Sequence, residues 1–399
     1  MTTAPVCAES APIAAAEIDR TAIHYLSYAS VPSQSANSIQ IMQMCAAFQR
    51  CGHPVVLHCR RPERRRRDAF GFYGLEPSFE VSDVYLPRIP LASRTLYGLL
   101  IARRLARLGP CCVYGRDFYT LGLLARTKAP HRLTFEAHQP PVGRLEERLQ
   151  RWIFESPNFR QLVVISDALG DEYRRRYGRL VADRVVLARD AANPPAVPAP
   201  ELSEAGRPEP EAEAPLRLGY VGSLVPGKGL ELLKALVPAL PDCEFHLVGG
   251  SPGELDAWAG AAKPSNLVLH GAVPPARVSS LIAGFDVMLA PYQAKVLVGP
   301  KRVDVGRWMS PLKVFEAMAH GKPIVASDLP VLREILEHGR TALLADPEDA
   351  RAWVEQIRTL QRDRRLRERL ALGAQDDYRA NHTWDRRAAD LLQVLGPEL

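Results

Sequence analysis

Leu216-Arg217-Leu218-Gly219-Tyr220-Val221-Gly222-Ser223-Leu224-Val225-Pro226-Gly227-Lys228-Gly229-Leu230 is the stretch on which the reading of this 399-residue chain turns. A β-rich run enters a turn holding Gly222, Gly227 and Gly229, and an apolar pattern at helical spacing follows. That order reads as strand, glycine-rich turn and helix start. Glycines let a ligand approach the main chain, a helix N-terminus offers unpaired amides to an anion, and Lys228 adds a positive charge. The turn therefore suits a diphosphate, with an ordinary glycine turn as the competing reading. It is not a Walker loop, because Gly229 stands where Ser or Thr would follow the lysine.

Downstream the same alternation continues. Glu244 to Val248, Leu267 to His270, Val287 to Ala290, Ile324 to Ser327 and Ala342 to Leu344 read as strands with helices between them. In Ser310 to Ser327, Ser310 is expected to cap a helix, Pro311 suits its first turn, and Gly321 with Pro323 ends it. Glu316 lies on that largely apolar helix, where a bare charge is costly. Either the paired hydroxyls of a ribose or a basic side chain must satisfy it.

Upstream, Ile23 to Tyr28, Val55 to Cys59, Val84 to Leu86, Cys111 to Tyr114, Arg132 to Phe135 and Leu162 to Ile165 read as strands. Helices such as Ser38 to Arg50 and Arg94 to Leu108 connect them. The stretch between the two alternating halves is rich in Pro, Ala and Glu and can neither continue a helix nor build a core. The expected fold class is α/β, with two doubly wound Rossmann-like domains facing a cleft. Expected boundaries are a disordered tail over 1–20, a first domain over 21–189, a linker over 190–215, a second domain over 216–380 and a C-terminal helix over 381–399, able to cross back to the first domain.

Composition agrees. An apolar share of 47% and a charged share of 24% are those of a globular chain. Lys+Arg 51 against Asp+Glu 45 leaves 51 − 45 = +6, a mild preference for anionic partners. The 7 cysteines form no CxxC pair and read as reduced, buried thiols of a cytoplasmic protein. No signal-like core opens the chain, and nowhere do about 18 apolar residues run together. Arg60 to Arg67 with Phe70, Phe72 and Tyr73, then Arg94 to Leu108, read either as a peripheral membrane face or as a solvated loop and a sheet-packing helix.

These residues carry a resemblance. Tyr220 to Leu224 with Lys228-Gly229, Phe245 to Gly249, His270 to Val273, Pro311 to Ser327, and Leu329-Pro330-Val331 with Glu334 resemble the donor domain of retaining, nucleotide-sugar-dependent glycosyltransferases of the GT-B fold, family four. Trp384 is similar to the aromatic at that family's terminal crossover helix. More loosely, Ser35-Ala36-Asn37-Ser38, Phe135 to His138 and Val164 to Ser166 resemble its acceptor-side domain. The resemblance implies that Lys228, with Gly222 and Ser223, holds a donor diphosphate and that Glu316 binds the ribose hydroxyls. It implies that Ser310, Pro311, Leu312 and Lys313 meet phosphate and sugar, that Gly271 and Val273 border the base, and that His138 approaches the transferred sugar. Ser35, Ala36 and Asn37 would form a cleft loop. A core histidine is the alternative reading of His138.

Departures accompany the match. Trp308 stands where the family often has a second Glu, and Ser223 where an Arg is common, leaving Lys228, Lys313 or Arg302 to offset the diphosphate. Ser35-Ala36 replaces a glycine pair. The activity implied is transfer of a sugar from a nucleotide diphosphate to an unidentified acceptor, a lipid-linked one being among the candidates, with retention, no metal and no cofactor, the nucleotide sugar being a substrate. An epimerase or hydrolase of the same fold is the alternative, and donor turnover without acceptor would reveal it. Nucleic-acid binding is not expected, since the charge is diluted and no recognised motif occurs.

Overall fold

A computed structural model describes residues 22–65, 67–86, 92–127, 130–195, 214–260, 263–299 and 302–396. The expected tail over 1–20, most of the expected linker, Arg66 of the basic run and Lys301 lie outside the described residues.

The first half runs β1 (Ile23–Ser30), α1 (Ala36–Arg50), β2 (Val55–Arg61), α2 (Ala69–Tyr73), β3 (Glu80–Tyr85), α3 (Ala92–Leu105) and β4 (Cys112–Gly115). It continues through α4 (Phe118–Leu124), β5 (Arg132–Ala137), α5 (Arg144–Glu155), β6 (Phe159–Val164), α6 (Asp167–Tyr177) and β7 (Val185–Leu187). These strands form one parallel sheet in the order β3-β2-β1-β4-β5-β6-β7. Both of its faces are covered by helices, so strands such as β4 are buried throughout.

The second half runs β8 (Leu216–Val221), α7 (Leu230–Ala239), β9 (Cys243–Val248), α8 (Pro252–Ala259), β10 (Leu267–Gly271), α9 (Pro275–Ala283) and β11 (Val287–Ala290). A short hairpin of β12 (Leu297–Val298) and β13 (Val303–Asp304) precedes α10 (Leu312–Ala319), β14 (Ile324–Ser327), α11 (Pro330–Arg333) and β15 (Leu343–Ala345). Helices α12 (Ala350–Arg362), α13 (Arg364–Asn381) and α14 (Trp384–Leu395) end the chain. The second sheet is also parallel, in the order β10-β9-β8-β11-β14-β15.

Each sheet reverses its winding once, between β1 and β4 and between β8 and β11. At such a point the loops leaving the two strands diverge and open a crevice beyond their carboxyl ends. The loops after β1 and β8 are the ones carrying Ser35 to Asn37 and Gly222 to Gly229. Three strands escaped the sequence reading: β7, which is three residues long, and the two of the hairpin, which pairs two residues with two. Segments so short carry no period to detect.

The halves are joined by more than the connecting segment. Trp384, Ala388 and Leu391 of α14 are buried in the apolar cluster that contains Ile41 and Phe48 of α1. Leu312, at the start of α10, belongs to the same cluster. In the other direction, Ala192 lies in the second-half core, bridges to Thr383 and accepts a hydrogen bond from Tyr378 Oη at 3.3 Å. Trp308 packs against the first-half core, and its carbonyl accepts from Ser166 Oγ at 3.1 Å. Glu334 accepts from the amides of Asp167 and Ala168 at 2.9 and 3.2 Å, closing the N-terminus of α6 from the opposite half. Among the described residues no helix is long and apolar enough to cross a membrane.

Candidate functional site

On the second-half side, β8 delivers the chain into the glycine-rich turn, and Gly222 stays paired to the sheet through its amide and the Val248 carbonyl at 2.9 Å. The turn reads differently in three dimensions than in sequence. A Cβ on Gly227 would lie 1.9 Å from the Lys295 carbonyl oxygen, and one on Gly229 would lie 2.0 Å from that of Pro291. Both residues have positive φ, at 92° and 83°. These glycines are required by the chain's own 291–296 segment crossing over the turn, rather than by a ligand's approach.

Lys228 donates from Nζ to Ser223 Oγ at 2.9 Å. Burial, helped by the Lys313 ammonium, pushes Lys228 down to about 8. Lys313 in turn donates to both oxygens of Glu316, at 2.8 and 2.7 Å. The carboxylate on the apolar helix is thus satisfied by a basic neighbour one turn away, and the two lysines and Glu316 occupy one electrostatic neighbourhood. Burial, with the Glu316 charge adding to it, also raises the Tyr292 phenol, which places that ring near the same carboxylate.

Ser310 does not cap α10. Pro311 is the N-cap residue and supplies no side-chain hydrogen bond, while Ser310 Oγ accepts from the Asp190 amide at 2.9 Å. The sequence suggested a cap because serine is the commonest N-cap type; the tertiary contact to the start of the linker claims it instead. Leu312 turns its side chain into the joint between the halves. Gly271 has φ 68° and open space around it, and Val273 is half-buried against the second-half core. Arg302 also adopts positive φ, at 49°.

On the first-half side, Ser35 caps α1 by accepting from the Ser38 amide at 3.2 Å, and Ala36 opens the helix. Asn37 and His138 line one cavity of about 290 Å³. His138 Nε2 lies 2.6 Å from Glu136 Oε1. Burial, then the Arg116 charge, push the imidazole down to about 4 against the pull of Glu136, so it is neutral at physiological pH. Its Nε2–H then donates to the carboxylate, and Nδ1 is left as an acceptor.

Glu136 is the residue that sequence reading passed over. Its carboxylate is fully buried and meets Tyr25 at 3.3 Å, Gln40 at 2.8 Å, His138 at 2.6 Å, Arg387 at 3.0 Å, and the Tyr114 hydroxyl. Burial works to raise its pKa; Arg387, aided by His138 and Arg116, overrides it and holds the carboxyl well below the usual range. Arg387 comes from α14 and also donates to the carbonyls of Arg189 at 2.9 Å and Ala188 at 3.2 Å. No local pattern marks these partners, which are 251 positions apart in sequence.

Asp190 adjoins this group, buried and with Oδ1 lacking a partner; burial pushes its carboxyl up to about 7. Donor atoms of Glu136, His138 and Asp190 lie within 4.8 Å of one another. Arg387 already supplies the positive charge there, so the arrangement reads as a hydrogen-bonded network. A larger cavity, about 720 Å³, is lined by Arg189, Glu334 and Arg387 with residues of α13. It includes none of Lys228, Glu316 and His138.

Comparisons with known proteins follow the two sheets. Residues 215–363 match the family model described as glycosyl transferases group 1, and residues 38–189 match that of Glycosyltransferase Family 4. The chain is 30% identical over 183 residues to the sulfoquinovosyl transferase of Arabidopsis thaliana, covering 45% of this chain and 32% of that protein. It is also 30% identical over 179 residues to a phosphatidyl-myo-inositol mannosyltransferase of Mycobacterium leprae, covering 42% and 43%. These matches thus span a third to under half of the curated relatives' length. Among solved structures, Anabaena HepE in complex with UDP and glucose superposes with a TM-score of 0.69 at 15% identity, over 94% of this chain and 100% of that one. That likeness establishes the two-domain GT-B fold.

Removing one member of the buried pair leaves a charge without compensation. Arg387→Met is expected to cost about 3–5 kcal/mol in urea denaturation, and adding Glu136→Gln to recover part of it. A loss below about 1 kcal/mol would show that the pair does not tie α14 to the first half.

Proposed function

The two halves of this chain are a Glycosyltransferase Family 4 domain and a glycosyl transferases group 1 domain in the GT-B arrangement, and from that premise we propose that it transfers a sugar from a nucleoside-diphosphate donor to an acceptor. The observation that carries this reading is the convergence of Lys228, Lys313 and Glu316 beside the crevice of the second sheet. A ribose would offer two hydroxyl donors to Glu316 in place of the Lys313 ammonium. Lys313, so released, would join Lys228 against the diphosphate. The nucleotide in the HepE complex supports a uridine donor.

In this mechanism the bond from the anomeric carbon to the diphosphate oxygen lengthens while negative charge gathers on the leaving group. Lys228, Lys313 and the free amides at the start of α10 lie where that charge grows. Cations and helix amides make a metal dispensable for this step. The acceptor hydroxyl attacks on the face the donor leaves and passes its proton to a diphosphate oxygen, so configuration is retained and no protein base is required. His138, neutral and fixed by Glu136, holds the transferred sugar by hydrogen bonding without adding charge. Closure of the halves would exclude water and suppress hydrolysis. Water attack in place of the acceptor is the hydrolase alternative, and it gains no support from the residues beside Glu316.

Membrane contact belongs to the same proposal. Leu96, Leu99 and Leu100 of α3 are 48%, 51% and 44% exposed, at helical spacing beside Arg103 and Arg104. The neighbouring basic run is partly engaged, with Arg61 3.8 Å from Asp83 and Arg67 2.6 Å from Glu63. The name of one relative above, a phosphatidyl-myo-inositol mannosyltransferase, agrees with a lipid-linked acceptor.

UDP is expected to raise the melting temperature of the wild type, and Glu316→Ala to remove most of that shift; an unchanged shift would reject the ribose role. Only the ammonium form of Lys228 attracts phosphate, and its pKa of about 8 in the free protein is raised by the bound anion. UDP affinity should therefore hold below pH 7.5 and fall about tenfold by pH 9.5 in isothermal titration, whereas a flat profile would remove Lys228 from the contact. Sedimentation with anionic vesicles at low salt should drop about tenfold in Leu96→Asp/Leu99→Asp/Leu100→Asp; equal sedimentation of both proteins would dismiss the membrane face.

A further inference from the structure

The first-half cavity of about 290 Å³ opens at the carboxyl ends of β1, β4 and β5, with Tyr28, Asn37, Arg94, Arg116, Phe118 and His138 in its wall. Arg94 lies in an aromatic cradle, its guanidinium carbon 4.3 Å from the Tyr119 ring centre, 4.6 Å from that of Phe118 and 5.4 Å from that of Tyr28. Rings stacked on a planar guanidinium fix its orientation and leave its N–H edge available. Arg94 Nε is buried with no hydrogen-bond partner, and the nearest carboxylate oxygen, Asp117 Oδ1, is 3.9 Å from Nη2. Arg116 donates to the neutral Gln40 Oε1 at 3.0 Å and, among the described residues, forms no ion pair within 4.0 Å.

The acids of the same wall make hydrogen bonds of their own, although Asp117 Oδ1, 3.9 Å from Arg94 Nη2, has no hydrogen-bond partner. Asp117 takes the amide and hydroxyl of Thr120, Glu146 takes the Val142 amide at 2.8 Å, and Glu136 is the centre of the network described above. Two guanidiniums, each with five N–H donors, thus face one cavity, and among the described residues Arg116 makes one side-chain hydrogen bond and Arg94 only the 3.9 Å ion pair with Asp117. Asn37 Oδ1, also buried and unpartnered, adds an acceptor for a hydroxyl. The buried donor of this pair without a partner, Arg94 Nε, is costly unless a ligand meets it.

Building on the glycosyltransferase reading, we propose that this cavity seats an acceptor bearing an oxyanion, a phosphate or a carboxylate, held by Arg94 and Arg116 as a two-armed fork. Asn37 receives a hydroxyl of the same molecule. His138, in the same wall, sets the receiving hydroxyl beside the transferred sugar. The planar forks match the geometry of both oxyanions, and Arg94 and Arg116 act as binding residues that select a charged acceptor over a neutral one.

The test is binding of three probes, glucose 6-phosphate, glucuronate and glucose, to the full-length chain by isothermal titration, with and without UDP. At least one anionic probe should bind saturably and at least about tenfold more tightly than glucose. The stronger of the two separates phosphate from carboxylate. Arg116→Gln and Arg94→Gln should each weaken the anionic probe by about tenfold or more, and Arg94→Lys, which keeps the charge and loses the fork, by several-fold. Arg179→Gln, an exposed arginine removed from the cavity wall, carries the same charge change and should leave binding unaltered. Melting temperatures identify any variant that fails to fold, and Arg94→Lys stands in for Arg94→Gln in that case. Equal binding of glucose, no saturable binding of either anion, or equal losses in Arg179→Gln overturns the assignment. UDP affinity is read in the same titrations, so loss of the donor site is distinguished from loss of the anion preference.

Discussion

The buried pair of Glu136 and Arg387 is the constraint on which the rest of the arrangement depends. Moving two charges out of water costs several kcal/mol each, and the cost is offset here because nearly every lone pair and N–H has a partner. The pair links the end of β5 to the last helix of the chain. In doing so it also fixes His138, whose imidazole donates to the same carboxylate and is kept neutral by its burial and by Arg116. One interaction therefore sets both how α14 sits on the first half and where the His138 ring is held. The contacts of Ser310, Trp308 and Glu334 with the first half brace the joint from the opposite side.

Against this frame the second-half site is a matter of charges close together. The Lys313 charge disfavours the Lys228 ammonium, and Glu316 pairs with Lys313. On the proposed function, a ligand that brings negative charge to the lysines and hydroxyls to the carboxylate relieves the repulsion as it binds. A nucleoside diphosphate has both parts. The glycines of the turn contribute indirectly: by letting the 291–296 segment cross close above them, they hold Lys228 in its place.

Much of this was legible locally. The strands Leu216–Val221, Val287–Ala290 and Ile324–Ser327 stand where their β-rich runs and flanking turns put them, since a parallel strand buried on both faces must be apolar along its length. Lys228 and Glu316 could be singled out too, because a helix start after a glycine turn and a carboxylate on an apolar face are features of neighbouring residues, whereas Lys313 entered only through the resemblance. Ser310 was misread for the same reason that made it noticeable: serine before a helix is ordinarily a cap, and only the folded chain brings the Asp190 amide to its hydroxyl. Arg116 and Arg387 drew no role from the sequence, and Arg94 only marked the start of a helix.

By itself the sequence determined the two alternating α/β halves and singled out Lys228 after the glycine turn and Glu316 on an apolar helix, because periodicity, turn chemistry and helix ends act over a few residues. Tertiary structure alone decided that Glu136 pairs with Arg387, that Trp308 and Leu312 lie in the joint, and that Arg94 and Arg116 face one cavity. Those outcomes depend on burial and on partners distant in the chain, and the energy of a charge is set by what surrounds it after folding rather than by its neighbours in sequence.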